Sequence, residues 1–159
     1  MAENRIRIQR KEEDLYRINI ADDGTEIVFD LADIGLPFKC QRAFQKVEKN
    51  QQVAMGKVKA IEKRGTDLNA GKNGLFTRLE SEILQIYTEM FEKNREIMDE
   101  FFGCPGAMQL LFGDSNYMDM YDDLFEQFEP HFEKMHLNVD SIKERLQKKY
   151  AKRKTDVLS

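Results

Sequence analysis

Cysteine occurs only twice in this 159-residue chain, as Cys40 and Cys104, far apart and in no Cys-x-x-Cys pair. That scarcity and spacing favour two reduced thiols packed as small hydrophobes. No apolar run approaches the roughly 20 residues a membrane-spanning helix needs. The first residues, Met1-Ala2-Glu3-Asn4-Arg5, lack the apolar stretch of a secretory signal, so a cytoplasmic location is expected. The formal net charge is −4, which does not favour general nucleic-acid affinity.

Recognisable reaction chemistry is also missing. Gly65-x5-Gly71-Lys72-Asn73 imitates a phosphate-binding loop, but its spacing is one residue too long, and Asn73 stands where a Ser or Thr should hold the metal. Asp114-x-Asn116 opens like a calcium loop. Met118 then occupies a ligand position, Asp119 replaces the turn glycine, and Phe125 replaces the closing Glu. His131 and His136 are five residues apart and share no helical face as metal ligands. His131 lies beside an aromatic stripe and reads as a packed or hydrogen-bonded side chain. No nucleophile, base and oxyanion site can be assembled from motifs, so no enzyme activity, cofactor or metal is expected.

What is present is a single domain with enough residues to bury a core. Alternation with period two marks strands at Ile6–Ile8, at Tyr16, Ile18 and Ile20, and at Thr25, Ile27 and Phe29. Asp23-Gly24 supplies the turn between the last two. Pro37 suits the first turn of a helix whose stripe is Phe44, Val47, Ala54, Val58 and Ile61, interrupted by Gln51. Gly65–Gly74 reads as a polar connector. A second helix is expected from about Leu75 to Phe102, burying Leu79, Ile83, Ile86, Met90, Ile97 and Phe101.

Gly103 and Pro105 stop that helix, and a short one should cover Ala107–Phe112. Asp114 or Ser115 can cap the next, whose aromatic face is Tyr117, Tyr121, Leu124, Phe125, Phe128 and Phe132. Its opposite face carries Asp119, Asp122, Asp123, Glu126 and Glu133, and Pro130 should bend it. A last helix begins near Asn138 or Asp140 and holds Ile142, Leu146 and Tyr150. Seven phenylalanines fall between Phe91 and Phe132, and those at the two stops, Phe101, Phe102 and Phe112, fix how helices meet.

The architecture expected is α+β and helix-dominated: a small N-terminal antiparallel β-meander packed on a mainly antiparallel helical bundle. Residues 1–150 form the domain, with strands about 4–30 and helices about 37–150. Residues 151–159 form a basic tail expected to fray. Charge is polarised along the C-terminal third, with seven acids and no Lys or Arg from Asp114 to Glu133, then seven bases against Glu144 from Lys143 to Lys154. Lys148, Lys149, Lys152 and Arg153 either complement a helix dipole or form an arm for an acidic partner or nucleic acid.

One resemblance covers roughly residues 15–135. Tyr16-Arg17-Ile18-Asn19-Ile20, the Asp23-Gly24 turn, Phe29-Asp30-Leu31 and Phe44-x-x-Val47-Glu48-Lys49 resemble a family of small proteins from prophages of Gram-positive bacteria, similar to the tail assembly chaperones of long-tailed phages. Met98-Asp99-Glu100-Phe101-Phe102-Gly103, Leu111-Phe112-Gly113-Asp114 and Leu124-Phe125-Glu126-Gln127-Phe128 look like that family's phenylalanine–glycine stretch. The chain departs from it where Gly103 follows Phe102 directly and where Pro130 interrupts the last long helix.

The resemblance implies a non-catalytic chaperone that covers the long helical tape measure protein in the cytoplasm of a bacterial host, with self-association as a further expectation. A groove between helices would hold the partner. Among flexible methionines Met90, Met98, Met118, Met120 and Met135, the two flanking the aromatic face, Met118 and Met120, are the candidate contacts; core filling is the other reading for each. Alternatives are a structural virion component of the tail or head, or a nucleic-acid-binding regulator working through residues 143–154.

Overall fold

The computed structural model describes residues 4–64 and 76–135. Two strands, β1 (Leu15–Asn19) and β2 (Glu26–Asp30), pair antiparallel, with Arg17 opposite Val28 and Ile18 opposite Ile27. Four helices follow: α1 (Leu36–Lys63), α2 (Arg78–Phe102), α3 (Ala107–Phe112) and α4 (Met120–Met135). The fold is α+β and dominated by helix. Among the described residues, no helix is long and apolar enough to cross a membrane.

The hairpin turns where the sequence places it. Gly24 adopts φ 90°, a region closed to most side chains, and its N–H donates to the Ala21 carbonyl. The Asp23 carboxylate accepts from both the backbone and the hydroxyl of Thr25, which holds its pKa below the usual range. Residues 4–11 correct the expected meander, because they form no strand and leave Ile6 93% and Ile8 84% exposed. Alternation alone does not make a strand; the apolar face needs a surface to bury against, and Ile6 and Ile8 meet none. The sheet is therefore a two-stranded hairpin, with Ile27 and Phe29 in the core.

Two side-chain turns build the connector into α1. Asp30 accepts from the Ala32 N–H and Asp33 from the Gly35 N–H, each two residues on. Pro37 then sits in the first turn of α1. Val47, Ala54, Val58 and Ile61 are buried as expected, joined by Leu36, Pro37 and Ala43. α1 and α2 run antiparallel: the Asn50 amide donates to Asn94 Oδ1 at 2.9 Å, while Ala43 shares a cleft with Ile97 and Phe101.

α2 starts three residues later than its apolar pattern suggests. Thr77 Oγ1 accepts from the Glu80 N–H, and Glu80 occupies the third helical position, so Thr77-x-x-Glu80 has the sequence spacing of a capping box. Toward its C-terminus the buried stripe is Met90, Phe91, Asn94, Met98 and Phe102. Ile97 and Phe101 lie at the edge rather than the centre, because the helix turns its buried side through the polar Asn94.

Gly103 ends α2 at φ 62°, with its own N–H and that of Cys104 returning to Glu100 and Asp99. α3 spans the residues expected of it. The Asp99 carboxylate caps it from α2, accepting from the Met108 and Gly106 N–H groups at 2.8 and 3.3 Å. α4 begins at Met120, so Asp114 and Ser115 do not cap it. Both lie in the loop ahead of the helix start: Gln109 donates to the Asp114 carboxylate, and Arg95 donates to the Ser115 backbone carbonyl and the Asn116 side chain. α4 continues through Pro130 to Met135.

Helix-end aromatics join the layers. Phe29 of β2 lies over Phe101 and Phe102, with ring centroids 5.4 and 6.4 Å apart. Phe102 stacks on Phe128 of α4 at 5.1 Å and 18°. Tyr16 of β1 shares a 2.8 Å hydrogen bond with His131 Nδ1, tying the hairpin to α4 as a packed histidine would.

Candidate functional site

α1 presents opposite charge on its two flanks. Its buried stripe faces α2. On one side of that stripe Phe44, Glu48, Gln51 and Met55 follow at helical spacing; on the other lie Lys39, Arg42 and Lys46. A groove or cleft opens along each flank.

The first is a groove of about 460 Å³ between α1, α2 and the start of α4. Val47, Met90, Phe91 and Tyr121 are its buried apolar floor. Phe44 partly covers that floor, with its ring 3.8 Å from the Phe125 ring. The rim is acidic, formed by Glu48, Asp119 and Asp122, and among the described residues no Lys or Arg lines it. Met55 and Met118 stand at the mouth, 46% and 60% exposed. The Tyr121 hydroxyl has no hydrogen-bond partner among the described residues, and burial pushes its pKa up. Arg95 sets the position of this wall. By holding residues 115 and 116 against α2, it fixes the loop that delivers Met118 and Asp119.

The candidate contacts separate here. Met118 is exposed at the groove, as proposed for a partner contact. Met120 is fully buried and starts the inner face of α4, followed at four-residue steps by Leu124 and Phe128; it is a core residue. Met90, Met98 and Met135 are buried as well, Met90 forming part of the floor. Lys148, Lys149, Lys152 and Arg153, the last expected helix and the Gly65–Gly74 connector lie outside the described residues. Three groove residues on α1, Glu48, Gln51 and Met55, are not among the contact candidates the sequence suggests, although Gln51 stands out there as a break in the apolar stripe. Gln51 was the available signal, because a polar residue inside an apolar stripe marks where the stripe opens to solvent.

The opposite cleft, of about 410 Å³, lies between α1 and the C-terminal half of α2. Ala43, Ile97 and Phe101 line it beneath Lys39, Arg42 and Lys46, with Glu100 as its one acid among the described residues. Lys39 is bound to Asp33 at 2.6 Å, which holds the Asp33 carboxyl below its usual range. Arg42 and Lys46 make no ion pair among the described residues.

Both thiols are free and partly buried. Burial pushes the Cys40 pKa up to about 12, so it stays a neutral thiol at physiological pH. Among the described residues no three His, Cys, Asp or Glu side chains converge on a point that could hold a metal ion. Comparisons with protein-family models, curated proteins and solved structures give no match to this chain.

Proposed function

We propose that the chain is a non-catalytic binding protein that shelters an amphipathic helix in the acid-rimmed groove, and that its client is a phage tape measure protein during tail assembly. The groove carries this reading: an apolar floor, adaptable methionines at the mouth and a rim of one charge sign. Such a groove accepts an apolar helix stripe, while Glu48, Asp119 and Asp122 select for cations flanking it. Methionine adjusts to a repeating, imperfect stripe better than a branched side chain does. The resemblance of the phenylalanine–glycine stretch to tail assembly chaperones supplies the client.

The test is co-expression of the tagged chain with the tape measure protein of the same prophage, with mass spectrometry of purified virions. The expected result is a soluble complex, absence of the chain from virions, and loss of capture in Met55→Asp/Met118→Asp, whose two sites are exposed enough to leave the fold intact. Failure of the wild-type chain to associate overturns the chaperone reading. Presence of the chain in virions instead makes it a structural tail or head component.

A further inference from the structure

From the base-flanked cleft we infer a second binding surface, whose occupant is the acidic face of α4 in another copy of this chain. Lys39, Arg42 and Lys46 stand at positions i, i+3 and i+7 of α1, all exposed, above the apolar Ile97 and Phe101. Their spacing spans about 10.5 Å along the helix axis. On α4, the solvent face opposite Leu124 and Phe128 carries Asp122, Glu126 and Glu129, all exposed. Read from the C-terminus backwards, Glu129, Glu126 and Asp122 have the same steps of three and four as Lys39, Arg42 and Lys46. An antiparallel crossing therefore sets Lys39 against Glu129, Arg42 against Glu126 and Lys46 against Asp122.

The residues after 135 are a poor alternative occupant. They carry seven bases against three acids, the wrong sign for this cleft. A second copy supplies the right sign at the right spacing.

The two surfaces are different parts of one molecule, so the contact is head-to-tail. Each copy that fills a neighbour's cleft leaves its own cleft open, and assembly proceeds to a ring or an open chain rather than stopping at a two-fold dimer. Exposed ion pairs of this kind are screened by salt and individually modest, so association is multivalent and salt-sensitive.

Sedimentation velocity of the full chain, over a range of concentrations at low and high salt (about 0.05 M and about 0.5 M), tests this. The wild type should form species larger than a dimer at low salt and fall to monomer at high salt. Arg42→Glu/Lys46→Glu should weaken association at least tenfold, as should Glu126→Lys/Glu129→Lys. The chain carrying all four substitutions, which swaps the charges across the contact and keeps the wild-type net charge of −4, should associate again. All four sites are exposed, and circular dichroism checks that each variant remains folded. A wild type that stays monomeric at low salt overturns the proposal. So does an oligomer untouched by either pair of reversals, or a four-fold variant that stays monomeric. Asp122 borders both surfaces and is left unchanged; Glu126 and Glu129 do not line the acid-rimmed groove, so tape measure capture by the Glu126→Lys/Glu129→Lys variant, measured at high salt where the chain is monomeric, is scored apart from self-association.

Discussion

The two flanks of α1 share a helix, a core and nearly equal volumes of open space, yet they are built differently. The acid-rimmed groove is assembled from three elements, and its far wall depends on a loop pinned by one arginine. The base-flanked cleft uses two antiparallel helices alone, with its cations on a single helix. A surface carried by one helix is positioned by that helix's own geometry. A surface shared with a loop is only as well placed as the hydrogen bonds that hold the loop.

That difference predicts which substitutions act on both surfaces and which on one. The largest effect is expected from Met98→Ala. Met98 is fully buried near the C-terminal end of α2, and removing it should cost about 3 kcal/mol through the cavity left behind. Urea unfolding should show that loss, with both flanks weakened together. Arg95→Ala should separate them. It removes the donors holding Ser115 and Asn116, at a cost of about 1 kcal/mol for a half-exposed network. Capture at the groove should fall several-fold, while self-association through the cleft stays at wild-type strength. Equal loss at both surfaces would erase the proposed distinction.

Asp33→Asn should have the smallest effect on stability, about 0.5 kcal/mol or less, because the Asp33–Lys39 pair is largely exposed. Its sign at the cleft is opposite: freeing Lys39 should strengthen association. The pH dependence follows the same pair. With its pKa depressed in the fold, chiefly by the Lys39 hydrogen bond, Asp33 contributes stability that is present above its unfolded pKa. That contribution is lost as pH falls through the lower folded value. The wild-type melting temperature should therefore decline more steeply than the variant's below the ordinary carboxylate range.

Much of this molecule is legible in its sequence because glycine and proline are local signals. The turn at Gly24, the stop at Gly103 and both ends of α3 need only nearby residues. What escaped depends on partners distant in sequence. Ile6 and Ile8 have strand alternation but no surface to cover. Asn94 is polar, so an apolar count passes over it, yet it is fully buried opposite Asn50. Asp114 and Ser115 look like caps, but Gln109 engages the Asp114 carboxylate and Arg95 holds the Ser115 backbone carbonyl in a loop ahead of the helix. Met118 and Met120 are two residues apart and equivalent in composition; only the start of α4 at Met120 turns one outward and the other in. The three cations of α1 needed no tertiary information, since i, i+3, i+7 spacing declares one face, but without α2 beside them they form a stripe rather than a cleft.

The glycines that bound α3 carry a consequence of a different kind. Gly103, Gly106 and Gly113 all hold positive φ, and a Cβ at any of them would meet no atom within 4 Å. Space is available at these corners, and chirality is what denies it to ordinary side chains. An L-alanine at Gly103 or Gly106 pays about 1 kcal/mol in backbone strain with nothing to clash against. A D-alanine introduced by chemical synthesis fits the same backbone and removes freedom from the unfolded chain. The corner joining α2 to α4 thus holds three isolated backbone sites of opposite handedness inside an L-protein, and the mirror-image residue is the one that would stiffen them.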